Sequence, residues 1–259
     1  MLYKKNEISD LELPIFMGID DKKEEIYGDL ARICNLLVIG DTGAGKTMWL
    51  INATLSLIDK YRSDMLRLGV IDTRFVDFYP FENLKHLMWQ TGCNSATAIE
   101  RFKEVEKEIE ERYRRMASLG VRNLAKYNEK SKDKMPYIVC IIDEIAEPMV
   151  EYPKETTEFF DKVIGMGRAA GVFLLASTKE IMPEVMSPKV RLLFKNIIAY
   201  YMRPARCDTD YMKAYLEEVE PYTLENLGDH IYKNEYEPPV KLSGRFVDDE
   251  TIEKIANAS

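Results

Sequence analysis

Five short runs, apolar almost throughout, constrain the fold of this chain more than any other feature. They are Leu36-Leu37-Val38-Ile39, Leu68-Gly69-Val70-Ile71, Tyr137 to Ile142, Val172 to Ala176, and Ile197 to Tyr201. A strand with one wet face alternates apolar and polar residues; runs without that alternation fit strands covered on both faces of a parallel sheet. Helical patterns separate the runs. Residues 48–61 follow the first. Residues 96–116 put Phe102, Val105, Ile109, Tyr113 and Met116 on one face, and residues 156–170 carry Phe159, Phe160, Val163 and Met166. The alternation predicts an α/β fold with a central parallel sheet. Residues 1–34 read as a lead-in containing a hairpin, Ile15 to Gly18 against Glu25 to Tyr27 around Asp20-Asp21, packed on one larger domain of residues 35–259. The tail from Gly228 to Ala256 reads as two strands and a short helix capped by Asp248 or Asp249. Ser131 to Lys134 is the most polar break and reads as a loop between a helix and a strand.

Composition narrows the function classes. No apolar run approaches the roughly 20 residues of a membrane-spanning helix, and the N-terminus has no signal-peptide core. A soluble, cytoplasmic body is expected, with any membrane-anchoring segment outside these residues. Lysine and arginine total 36 against 44 aspartates and glutamates, a net charge of −8. Any nucleic acid must therefore be held by a local basic patch rather than a basic surface at large. Cys34, Cys93, Cys140 and Cys207 form no Cys-x-x-Cys pair, and His86 and His230 are isolated, so no zinc site or disulfide framework is expected.

Gly40-Asp41-Thr42-Gly43-Ala44-Gly45-Lys46-Thr47 fits G-x-x-x-x-G-K-[ST] and stands between a buried strand and a helix, the context the motif requires. Glycines let backbone N–H groups wrap phosphates, and the following helix points its positive end at them. Residues Gly40 to Met48 are therefore expected to bind ATP, with Lys46 reaching the β- and γ-phosphates and Thr47 ligating Mg²⁺. A second motif, Ile138 to Ile142 followed by Asp143-Glu144, delivers two carboxylates at the C-terminal end of a strand, where α/β sheets bind ligands. Asp143 is expected to hold Mg²⁺ and Glu144 to take a proton from the attacking water, which implies hydrolysis. Ser177-Thr178-Lys179 ends the next strand; Thr178 either contacts the γ-phosphate or the water, or caps a turn.

With these motifs on hand, the chain resembles the motor domain of the FtsK/SpoIIIE family of DNA translocases, in the HerA/FtsK group of P-loop ATPases. The resemblance runs through nearly the whole chain. It includes Leu13-Pro14-Ile15 with Gly18, Asp29-Leu30-Ala31, Asn35 to Val38, Glu111-Arg112-Tyr113 to Met116, Leu119 to Ala125 with Tyr127-Asn128, and Met135 to Val139. Arg168-Ala169-Ala170-Gly171, Leu227-Gly228-Asp229 and Gly244 to Val247 complete it. It implies a RecA-like P-loop NTPase fold, a central mainly parallel sheet flanked by helices, and a motor over residues 35–259. The implied assembly is a homo-oligomeric ring, usually a hexamer, that threads double-stranded DNA without reading its sequence. Full-length members also carry a membrane-anchoring region and a small winged-helix module, neither of which is expected within these residues. Three positions depart from the pattern: Lys179-Glu180 replace the usual Gln-Arg, Thr73-Arg74 alter an Asp-Pro-Lys motif, and residues 203–226 are diverged and shorter.

Two basic stretches are candidate DNA contacts. Arg122, Lys126, Lys130, Lys132 and Lys134 occupy a loop-like region that either grips phosphates in a ring channel or is a solvated surface. Lys189, Arg191 and Lys195 alternate with Val190, Leu192, Leu193 and Phe194, which suits an ordinary amphipathic helix as well as a DNA contact. Arg101, Arg112 and Arg168 are candidates for the cation that a ring ATPase supplies to its neighbour's site, or else for salt bridges with nearby glutamates. Trp49 and Tyr201 read as core or sheet residues. Related motors drive type VII protein secretion or act as conjugative coupling proteins, and both stay open as alternatives, as does a nucleotide-dependent scaffold.

Overall fold

The computed structural model describes residues 2–179, 181–204, 216 and 219–259. Each apolar run forms a strand: β4 (Asn35–Ile39), β5 (Leu66–Asp72), β6 (Tyr137–Asp143), β7 (Val172–Thr178) and β8 (Ile197–Tyr200). These five pair in parallel in the order β5-β6-β7-β4-β8. β4 is thus separated from β6 by β7, a strand that comes later in the chain.

The terminal segments extend this parallel core with an antiparallel half. From the N-terminus come β1 (Leu2–Lys4), β2 (Pro14–Ile19) and β3 (Glu25–Asp29); from the C-terminus come β9 (Asp229–Lys233) and β10 (Val240–Ser243). β9 pairs β8, β10 pairs β9, and Ser243 of β10 meets Ile19 of β2, so both ends of the chain enter one sheet. The β2–β3 hairpin turns where Asp20-Asp21 suggested, with Asp20 Oδ1 accepting from the N–H of Lys22 and Glu24.

Strand pleat divides the interior into two layers. Leu36, Val38, Val70, Ile141 and Leu175 face α2 (Lys46–Lys60) and the terminal α8 (Asp249–Ala258). Leu37, Ile39, Ile142, Leu174 and Ala176 face α3 (Ser95–Ser118) and α6 (Pro153–Ala170), where Phe102 and Phe159 stack at 4.0 Å. The shorter helices are α1 (Leu30–Ile33), α4 (Leu124–Lys130), α5 (Ala146–Glu151) and α7 (Pro188–Leu193). Asp248 caps α8, as one of the two sequence options had it. Among the described residues no helix is long and apolar enough to cross a membrane.

The basic segment after α3 differs from its sequence reading. Residues 124–130 form α4, capped by Asn123, with Leu124 and Tyr127 buried. Tyr127 Oη accepts from Arg115, and Asn128 exchanges two hydrogen bonds with the Met135 backbone. Loop-like polarity concealed two apolar residues three apart, enough for one buried helical face. The lysines remain exposed, but they stand at the sheet edge where β6 and β7 begin, opposite the phosphate loop.

Candidate active site

β4 ends at the phosphate loop, and α2 starts at Lys46. The loop uses positive φ at Gly43 (+81°) and Gly45 (+120°), conformations that L side chains rarely adopt. A Cβ on Gly43 would meet nothing within 4 Å, so the space above the loop is open for a ligand. Gly45 is closed on its other side, where a Cβ would come within 2.9 Å of the Tyr200 ring. Lys46 Nζ curls over the loop, donating to the carbonyls of Gly40 (2.9 Å) and Asp41 (3.1 Å), and burial pulls its pKa down. Asp41 accepts from Arg203 Nε at 2.9 Å and anchors the loop to the chain beyond β8. Thr42 is exposed, Ala44 is buried, and the Met48 sulfur accepts from the Val247 N–H.

Thr47 Oγ1 donates to both oxygens of Asp143, at 3.0 and 3.2 Å, so the two residues expected to ligate Mg²⁺ meet directly. Asp143 is only 2% exposed, and its carboxyl is pushed up to about 7, first by burial and then by Asp77. A buried carboxylate beside a second one is a poor place for uncompensated negative charge and a good one for a hard cation with oxygen ligands. The residues present therefore fit Mg²⁺ at Thr47 and Asp143, and the open, glycine-shaped loop fits a polyphosphate.

Glu144 is 1% exposed and has φ of +73°, a left-handed conformation costing about 1 kcal/mol outside glycine. That bend turns its carboxylate back over the strand ends. Oε1 accepts from Thr178 Oγ1 (3.0 Å) and the Ala146 N–H (3.1 Å); Oε2 accepts from the Lys179 N–H (3.2 Å) and lies 3.8 Å from Arg74. Thr178 thus holds Glu144. Ser177, named with Thr178 as a polar strand end, is turned to Asp143 instead: its hydroxyl donates to Asp143 Oδ1 at 2.9 Å and accepts from the Glu144 N–H. The position of β7 between β4 and β6 puts both hydroxyls within reach. The altered Asp-Pro-Lys stretch also reaches the site, through Asp72 and Arg74, and it brings Asp77, which no sequence pattern marked. Asp72 is fully buried and accepts from the N–H of Arg74, Asp77 and Phe78, folding the loop that aims Arg74 at Glu144.

Two of the three candidate trans arginines are internal. Arg112 is 1% exposed; it donates to the Ala170 carbonyl at 2.9 Å and pairs with Glu108. Arg101 is buried against Trp89 and donates toward the Thr91 carbonyl. Apolar helix spacing brings both onto the inner face of α3, so neither can reach a neighbour. Arg168 is exposed but ends α6, at the edge opposite the phosphate loop. Replacing Arg112 with alanine orphans the Ala170 carbonyl and removes a packed side chain. The expected cost is about 2–3 kcal/mol in urea unfolding, with activity per folded molecule unchanged. In the second basic stretch, Arg191 is buried, Lys189 pairs with Asp161 and Lys195 with Glu235, the pattern of an amphipathic helix. Trp49 is core, donating to the Met17 carbonyl, but Tyr201, expected in the core or sheet, is exposed one residue past the end of β8. Glu180 and Cys207 lie outside the described residues, as does much of the diverged 203–226 segment.

A profile of the FtsK/SpoIIIE family matches residues 2–183. The chain belongs to the FtsK/SpoIIIE family. Among curated relatives, DNA translocase FtsK of Streptococcus pneumoniae is 28% identical over 95% of this chain and 33% of its own length. DNA translocase FtsK of Rickettsia typhi is 26% identical over 94% of this chain and 37% of its own. The chain therefore spans about a third of the length of these relatives. Its backbone is similar to the pCW3 conjugation coupling protein TcpA, with a TM-score of 0.79 at 19% identity over 99% of this chain and 73% of that one. It is also similar to the cytoplasmic domain of the Thermomonospora curvata type VII secretion ATPase EccC, with a TM-score of 0.77 at 20% identity over 95% of this chain and 31% of that one. At such identities the likeness establishes a shared P-loop ATPase fold.

Proposed function

We propose that this chain is the motor of an ATP-driven double-stranded DNA translocase that works as a homo-oligomeric ring, with residues 1–34 as a lead-in packed on the 35–259 motor. The observation that carries the reading is the meeting of Thr47, Asp143, Ser177, Thr178 and Glu144 at the C-terminal edge of three parallel strands. Backbone N–H groups of Gly43 to Thr47 and the Lys46 ammonium would hold the phosphates. Thr47 and Asp143 would hold Mg²⁺, which supplies charge neutralisation at the transferring phosphate. Lys46 gives up its two carbonyl contacts to reach a phosphate. Glu144 takes the proton of the attacking water, and its bonds to Thr178 and the Lys179 N–H keep the carboxylate aimed while it does so. Ser177 fixes the rotamer of Asp143.

DNA is favoured as cargo by the names of the curated relatives, which align with 94–95% of this chain. The exposed face of Arg122, Lys126, Lys130, Lys132 and Lys134 is the candidate grip, through phosphates. Protein cargo, as the name of the secretion ATPase implies for that protein, is the second reading, and the net charge of −8 suits it as well.

Steady-state ATP hydrolysis with and without linear duplex DNA, at two salt concentrations, tests the proposal, with Lys46→Ala as the blank. Expected is a stimulation by DNA that weakens as salt rises, because phosphate contacts release counterions. Hydrolysis indifferent to DNA would move the assignment to protein cargo, and no hydrolysis above the blank would remove the ATPase reading itself.

A further inference from the structure

Three carboxylates converge where β5 and β6 end. Asp72 and Asp143 are partners across the parallel pair, and Asp77 joins them, with an oxygen of each within 4.8 Å of the other two. The chain returns Asp77 to this point by a turn built on Asp72. Asp72 Oδ1 accepts from the Arg74 N–H at 2.9 Å, and Oδ2 accepts from the N–H of Asp77 (2.8 Å) and of Phe78 (3.1 Å). Phe78 and Phe81 are fully buried, with ring centroids 5.8 Å apart, and fasten the far side of the turn to the core. Backbone and core therefore hold Asp77 here, with no help from its own side chain.

The three carboxylates differ in what their oxygens do. Those of Asp72 are engaged by backbone N–H groups, so Asp72 builds the turn. Those of Asp143 accept from Thr47 and Ser177. Asp77 Oδ2 is shut off from solvent, yet no described residue donates a hydrogen bond to it. Arg74 stands off, with Nη1 3.7 Å from Asp77 Oδ2 and Nη2 3.8 Å from Glu144 Oε2. Lys46 Nζ is engaged by two loop carbonyls.

A buried carboxylate oxygen without a donor is costly, and native proteins keep few of them. A hydrated cation answers both needs of this corner, since the ion brings charge and its water brings a donor. Mg²⁺ binds through one or two carboxylates and substrate phosphates and keeps several of its waters. Groups behind the direct ligands orient that shell and set much of the affinity.

We propose that Asp77 is a positioning residue for Mg²⁺, its carboxylate accepting from the water that the ion keeps when Thr47 and Asp143 hold it. The proposal rests on the nucleotide reading above and adds to it a residue that touches neither the ion nor the phosphates.

The test is titration calorimetry of ATP into the Glu144→Gln protein, which does not turn over, in Mg²⁺ and again in EDTA. Binding is read instead of hydrolysis because loss of the Asp77 charge also frees Arg74 beside position 144. Adding Asp77→Asn should weaken Mg-ATP binding by about 10-fold or more and leave ATP binding in EDTA within a few-fold. Asp77→Ser also keeps the backbone N–H that Asp72 holds, and should behave alike. Mg-ATP affinity unmoved by both substitutions overturns the proposal. So does an equal loss in EDTA, which would make Asp77 a support of the loop alone. A second measurement separates contact through water from direct contact. With Mn²⁺ in place of Mg²⁺ and heavy water as solvent, spin-echo modulation by deuterons counts the waters on the ion. Asp77→Asn should leave that count unchanged, and an additional water would make Asp77 a direct ligand and overturn the role assigned to it. If the Glu144→Gln protein itself binds ATP no tighter in Mg²⁺ than in EDTA, the Mg-nucleotide reading fails first and takes this one with it.

Discussion

Replacing Glu144 with glutamine is expected to lower ATP hydrolysis by about 10²–10⁴-fold while leaving Mg-ATP affinity within a few-fold. The amide keeps the volume of the carboxylate but cannot take a proton. Its single carbonyl oxygen also cannot serve the Lys179 N–H on one side and the Thr178 hydroxyl and Ala146 N–H on the other. The Thr178 hydroxyl can rotate to accept from the amide, so one backbone N–H is left weakened, a loss of about 1 kcal/mol in stability. Thr178→Val is expected to lower turnover less, by roughly ten-fold, because it frees the carboxylate without removing it. Lys46→Ala differs in kind and should abolish nucleotide binding. Single-turnover hydrolysis alongside equilibrium binding separates the three. Equal loss of binding in Glu144→Gln would contradict the role assigned to Glu144.

Asp143→Asn is expected to raise the stability of the nucleotide-free protein above neutral pH while destroying hydrolysis. Burial and Asp77 push the folded carboxyl up to about 7, whereas in the unfolded chain it titrates near its ordinary value of roughly 4. The folded state then holds a proton that the unfolded state has released. Stability from this group is fully present below the unfolded value, falls as pH rises between the two values, and is gone above about 7. Asparagine cannot titrate. Its advantage is therefore nearly absent at pH 4 and below and grows to the order of 4 kcal/mol at pH 8. Thermal unfolding at acid and alkaline pH, with and without Mg²⁺, checks this. Mg²⁺ should stabilise the parent at pH 8, where Asp143 is ionised, and leave Asp143→Asn unmoved. Equal melting temperatures for parent and variant at pH 8 without Mg²⁺ would count against the buried-charge account.

These two carboxylates and the phosphate loop were legible in the sequence because each is a local pattern. A buried strand ending in Asp-Glu, or in a glycine-rich turn before a helix, carries its own geometry, and the expected strands β4 to β8 follow from apolar runs of a few residues. What failed to show was contact between segments distant in the chain. Ser177 looked like the end of a strand, and its bond to Asp143 spans 34 residues. Arg112 looked like a surface arginine on a glutamate-rich helix, and its burial depends on the Ala170 carbonyl of another helix. Basic charge around Lys126 concealed Leu124 and Tyr127, which make α4 a packed helix.

Local pattern alone was enough to show that the chain alternates buried strands with amphipathic helices, that one strand runs into a glycine-rich loop, and that another ends in two adjacent carboxylates. Pattern and turn chemistry act within a few residues and need no partner. Strand order could be seen only once the chain was folded. β7 lies between β4 and β6, which turns Ser177 and Thr178 into the supports of Asp143 and Glu144, and β10 reaches β2 across more than two hundred residues to bring both ends of the chain into one sheet. Such pairings are chosen by which faces can be covered together once the whole chain collapses. A strand's own residues state that it must be buried, and the neighbours that bury it are set by the rest of the chain.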